Sequence, residues 1–148
     1  MLDPLTAVSL AAAIVQFVDF SGKLFSETKE LYGSAEGTLI RNKELREITT
    51  DLKQLCNNLG PAQQGIAAAK APTPDEEALL QLSNSCRSIA DELLAALEDL
   101  RVKAGHQKWE SFKQALRSAL KKEKIASIKT RLNEVQKQLE TRLASILR

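Results

Sequence analysis

Apolar residues recur at helical spacing over five stretches of the chain. The first runs from about Leu5 to Tyr32. Asp3-Pro4 supplies a carboxylate at the N-cap and a proline at the first helical position, and Gly33 supplies a stop. Val8, Ala11, Val15, Val18 and Phe25 fall on one seam, and Leu10, Ile14, Phe17 and Leu24 on another. The first half of this segment is therefore apolar nearly all round, as in a helix central to a bundle or bound for lipid. The second stretch, about Thr38 to Leu59, is one-sided. Leu45, Ile48, Leu52, Leu55 and Leu59 form its dry face, Arg41, Lys43, Glu44, Glu47, Asp51 and Lys53 its wet face, and Gly60-Pro61 ends it.

Residues 60–74, GPAQQGIAAAKAPTP, read as a flexible surface loop with room for a helical turn around Ile66–Lys70. The third stretch opens at Thr73-Pro74-Asp75-Glu76, where Thr73 and Glu76 have capping-box spacing. Leu79, Leu82, Cys86, Ile89, Leu93, Ala96 and Leu100 carry it to about Lys103, and Gly105 closes it. The fourth, about Gln107 to Lys121, places Trp109, Phe112, Leu116 and Leu120 on one face. The fifth runs from about Lys124 to the end through Ile125, Ile128, Leu132, Val135, Leu139, Leu143 and Ile146. The apolar phase shifts at Lys121-Lys122-Glu123-Lys124, which predicts a bend there. No strand-like alternation and no internal repeat is evident. The pattern predicts an all-α fold: an antiparallel bundle of four to five helices, with the apolar N-terminal helix in its middle.

Composition agrees. At 148 residues with 43% hydrophobic and 27% charged side chains, the chain reads as one globular domain, 1–148. Aromatics are only 4%, and Leu, Ala, Glu, Lys, Gln and Arg favour helix over strand. Met1 reads as a natural initiator, and a helical pattern is still running at Leu147-Arg148, so an N-terminal domain of a longer protein is expected. There is no basic n-region and Asp3 stands near the start, so no signal peptide is expected and the cytosol is the simplest compartment. Cys56 and Cys86 occupy apolar helical positions and are expected to be reduced, buried thiols.

Catalytic chemistry is not legible. There is no GxxxxGK[ST], GxGxxG, HExxH, CxxC or GxSxG. The single histidine, His106, falls in an expected interhelical turn. Adjacent acids such as Asp91-Glu92 and Glu98-Asp99 point to different sides of a helix. No enzyme, cofactor or metal site is expected.

Charge is unevenly placed. Residues 101–148 hold 13 Lys and Arg against 4 Asp and Glu, a net +9, while residues 1–100 carry a net −7. Arg117, Lys121, Lys122, Lys124, Lys129 and Arg131 concentrate the positive charge. The patch is read either as a solvated face attracted to the acidic helices or as a site for anionic lipid, which gains roughly 1 kcal/mol per basic residue near such a surface. Nucleic acid is a weaker fit, since no aromatic platform accompanies the patch. The first helix has two readings as well. Pro4 to Val18 is free of formal charge for 15 residues. It is either a buried bundle helix or a helix buried at rest and exposed to lipid on activation, with Leu5, Val8, Leu10, Ile14, Val15, Phe17 and Val18 as its membrane-active side chains. The resting bundle is expected to hide Ile14, Val15, Phe17 and Val18, because exposed together they would promote aggregation.

Three stretches carry a family resemblance. The opening LDPLTAVSLAAAIVQFVDFSGKLFSETKELYGSAEG, the following NKELREITTDLKQLCNNL and the later KWESFKQALRSALKKEKIASIKTRLNEVQKQLETRL resemble the HeLo-like N-terminal domain of fungal STAND (NLR-like) receptors. The resemblance implies a helical bundle upstream of a nucleotide-binding oligomerisation domain in the same chain. It also implies a part in non-self recognition, heterokaryon incompatibility and regulated cell death. Related bundles attack membranes after self-association, so the implied membrane-active segment is Leu5 to Phe20 and the implied site of action the plasma membrane. A non-lytic protein–protein adaptor is the competing expectation.

Overall fold

The computed structural model describes residues 4–25, 44–60, 73–104 and 109–146. They form five helices: α1 (Pro4–Leu24), α2 (Leu45–Asn57), α3 (Pro74–Ala104), α4 (Trp109–Ala119) and α5 (Lys122–Ile146). There is no strand among the described residues, and the fold is the expected all-α bundle.

Local chemistry sets the helix ends. The Thr73 hydroxyl accepts from the Glu76 N–H at 3.2 Å, and Glu76 Oε1 accepts from the Thr73 N–H at 3.0 Å, closing the capping box that starts α3. Helix α2 begins seven residues later than the expected Thr38. Glu44 is its N-cap, extended at φ −74°, ψ 154°, and its N–H donates to Glu47 Oε1 at 3.3 Å. Helix α1 stops at Leu24, well short of Tyr32. The Phe25 N–H closes a tight turn on the Gly22 carbonyl at 3.2 Å, and the Phe25 ring is buried. The bend between α4 and α5 is present. Leu120 still donates to Leu116, and Ile125 starts the next helix by donating to Lys121. On either side of the break, Leu116 and Leu120 before it and Ile128 and Leu132 of α5 after it are buried in the core. The remaining expectations for 26–43, the helical turn in 61–72, Gly105, His106 and the Trp109 side chain lie outside the described residues.

Helix α3 packs against all four others, while α1 packs against α2, α3 and α5. The middle of the bundle is therefore α3, not α1 alone as the sequence suggested. α1 and α3 form an inner pair with α2 on one side and α5 on the other. Leu10, Ile14 and Phe17 of α1, Leu52 of α2, Leu93 of α3 and Leu116 of α4 are all fully buried in one core. Leu132 is 4% exposed. Truncating Leu52, Leu93 or Leu132 to Ala is expected to cost about 2–5 kcal/mol each, read as lowered denaturant midpoints.

Cys86 is buried as expected, but Cys56 is only half-buried, and both are free thiols. Burial, reinforced by the neighbouring Cys56, pushes the Cys86 thiol up to about 12, so it stays protonated and unreactive at neutral pH.

Candidate functional site

Three neighbours cover α1 on most of its circumference. Leu10, Ile14, Phe17, Phe20 and Leu24 turn inward. Val8, Ala12, Val15, Asp19 and Gly22, spaced by three and four, form a solvent-facing strip. Val8 is 39% exposed and Val15 48%, and Val18 is half-buried. The expectation that the resting bundle hides Ile14, Val15, Phe17 and Val18 holds for Ile14 and Phe17 and is corrected for Val15. Leu10, Ile14 and Phe17 are hidden; Val8 and Val15 are not. A helix with three neighbours has an uncovered arc, and from Val8 to Gln16 this arc carries Val8, Ser9, Ala12, Val15 and Gln16, with no charge, where α2 carries charge. The Leu5 side chain lies outside the described residues.

Ala7–Leu24 is long and apolar enough to cross a membrane by length and composition, with a mean hydropathy of 1.4 over 18 residues and half of the stretch buried. Its helical length is about 27 Å, close to the ~30 Å hydrocarbon thickness. Its two charges, Asp19 and Lys23, pair with each other at 3.0 Å one turn apart. A soluble core helix can pass the same test, and α1 also serves as one.

Beside the strip, α1 and α5 leave a groove of about 580 Å³. Val15, Val18, Leu139 and Leu143 give it apolar walls, and Gln16, Asp19, Gly22, Lys23, Gln136 and Glu140 complete it. The pattern of sequence did not reveal this groove. Leu139 and Leu143 read as ordinary seam residues, and nothing in their spacing shows that a groove opens there.

The basic residues separate into two groups. Lys124 Nζ lies 3.0 Å from Glu92 of α3, and Arg131 bonds the other oxygen of the same carboxylate as well as Ser88. Lys121, Lys122 and Lys129 are exposed and make no ion pair with another described residue. Arg117 is half-buried and engaged within the protein. The six residues are therefore not one open patch: the attraction to an acidic helix holds for Lys124 and Arg131, and three lysines remain solvated. A second clamp, between Asp75 of α3 and Arg142 at 3.1 Å and Ser145 at 2.9 Å of α5, was not foreseen. The two clamps tie the start of α3 to the end of α5 and the middle of α3 to the start of α5, so the pair is antiparallel.

Partial burial pushes the Glu92 carboxyl up, but hydrogen bonds and charge from Arg131 and Lys124 more than reverse this and hold it below its ordinary value. A depressed folded-state value means stability that is present above the unfolded carboxyl pKa and lost as pH falls through the folded one. Glu92→Gln should thus cost up to about 1 kcal/mol at pH 7. The difference from the parent should shrink toward zero below the ordinary carboxylate range, as read by urea melts at pH 7 and at about pH 3.

Among the described residues no three His, Cys, Asp or Glu side chains converge as metal ligands. The candidate site is a set of surfaces: a strip without charge from Val8 to Gln16, a groove beside it and three solvated lysines. A family model described as SesA, N-terminal domain on NACHT_NTPase and P-loop NTPases, matches residues 11–139. Comparison with the curated proteins and with the solved structures found no match.

Proposed function

The chain belongs to the SesA family, the N-terminal domain on NACHT and P-loop NTPases, and from that membership we propose that it is the non-enzymatic effector module of a fungal NLR-like receptor. In this reading a nucleotide-binding domain downstream in the same chain controls self-association of the module. Self-association then releases α1 toward the cytoplasmic face of the plasma membrane, and the outcome is regulated cell death.

The observation that carries the reading is α1 itself: an 18-residue apolar stretch whose outward face carries no charge from Val8 to Gln16. Surface helices ordinarily place charge on the arc that faces water. Leu10, Ile14 and Phe17 would exchange a protein core for lipid tails, which are as apolar as the core they leave. The loss falls mainly on the rest of the bundle, and contacts between copies would offset it. The three solvated lysines would add attraction to an anionic leaflet.

The experiment is forced oligomerisation of the domain by a fused inducible dimerising tag in cells. Cell death with recruitment to the plasma membrane is the expected result; a folded, oligomerised domain that stays in the cytosol and is tolerated would overturn the reading. In sedimentation with anionic vesicles, Lys121→Glu/Lys122→Glu/Lys129→Glu should weaken binding by at least tenfold at low salt. Lys124 is left in place, since a glutamate there would face Glu92 and disturb the α3–α5 pair.

The open groove between α1 and α5 favours a second reading, a non-lytic adaptor that docks a downstream partner. Activity on vesicles containing no other protein separates the two.

A further inference from the structure

The two edges of α5 are built differently. The edge toward α3 carries Lys124, Arg131, Arg142 and Ser145, each engaged by Glu92 or Asp75. On the opposite edge lie Lys122, Lys129, Gln136 and Leu143, seven residues apart in turn and so on one stripe that drifts by only ~20° per step. Gln136 and Leu143 line the groove with α1, together with Leu139, Val15 and Val18. Lys129 and Lys122 continue the same stripe beyond the groove, solvated and without an ion pair to a described residue. The rise of a helix places Lys129 about 10 Å from Gln136 along the axis, and Lys122 about 10 Å farther.

From this juxtaposition we infer that the α1–α5 groove is a binding site for an anionic single-chain amphiphile, its tail between Val15, Val18, Leu139 and Leu143 and its head on Lys129 and Lys122. At about 580 Å³ the groove is of the size that ordinary small-molecule sites have. Apolar and cationic features stand end to end along α5, which matches a head-and-tail molecule. An acidic amphipathic helix instead carries charge along the flanks of its apolar face and needs cations beside the groove over its whole length. Within the groove Glu140 repels an anionic head, and the charges of Asp19 and Lys23 offset each other. Both features direct the head toward the lysine end. The resting bundle forms this site, and it does not depend on whether α1 ever enters a membrane.

The test uses the isotope-labelled domain with dodecyl phosphate below its micelle-forming concentration. Dodecyl maltoside, inorganic phosphate and an acidic amphipathic peptide are the other arms. Dodecyl phosphate should bind saturably at one per chain and shift the backbone signals of Gly22 and Leu143. Lys122→Glu/Lys129→Glu should weaken binding at least tenfold, and so should Leu143→Gln. Val18→Gln serves should Leu143→Gln fail to fold. The maltoside should bind at least tenfold more weakly and inorganic phosphate not measurably. Four results would overturn the inference: no saturable binding, binding indifferent to the lysines, equal binding of inorganic phosphate, or capture of the peptide at these residues without dodecyl phosphate.

Discussion

Val15→Asp should leave the bundle folded and reduce its insertion into membranes about a hundredfold. Val15 is 48% exposed and sits at the midpoint of the apolar stretch Ala7–Leu24. In the resting bundle the aspartate faces water, and substitutions of that kind change stability by about 0.5 kcal/mol or less. In a spanning α1 the same aspartate lies near the bilayer centre, where it costs about 2.5–3.5 kcal/mol on insertion scales, and each 1.4 kcal/mol is a factor of ten. Val8→Asp should fold equally well and impair insertion less, because Val8 lies near one end of the stretch. Thermal melts and vesicle binding measured on the same samples read both effects. An α1 that acts only as a docking face has no reason to grade the two variants by depth.

Phe17→Ala should lower the stability of the resting bundle by about 3–5 kcal/mol. The ring is fully buried, one of the largest side chains of the core, on a helix that packs against α2, α3 and α5. That loss is a large fraction of the 5–15 kcal/mol that holds a typical domain folded. Denaturant melts check it, with an unchanged midpoint counting against the packing described. Ile14→Asp or Phe17→Asp would place an unpaired carboxylate in the same core and should unfold the domain outright. Neither can therefore serve as a probe of lipid contact, whereas Val15→Asp can.

Much of the bundle was legible because its signals are local. Thr73 and Glu76 announce the start of α3, and the phase shift after Leu120 announces the bend. The one-sided rows of α2 and α5 name their own dry faces. The first helix was harder. With apolar residues nearly all round, its spacing cannot say which arc three neighbours will cover, and Val8 and Val15 went to a core seam. The basic patch failed for a related reason. Lys124 and Arg131 differ from Lys122 and Lys129 only in which edge of α5 they occupy. That edge gains meaning once α3 has brought Glu92 alongside, from 32 residues before Lys124 in sequence. The α1–α5 groove is likewise a property of two helix axes, and no single segment records it.

The most direct measurement is dye release from anionic vesicles that contain no other protein, with the domain oligomerised through a fused inducible dimerising tag. Release should follow addition of the dimeriser, be absent for the folded monomer, and fall to background for folded, oligomerised Val15→Asp. Intact vesicles under the oligomerised parent domain, or equal release by Val15→Asp, would contradict a membrane role for α1.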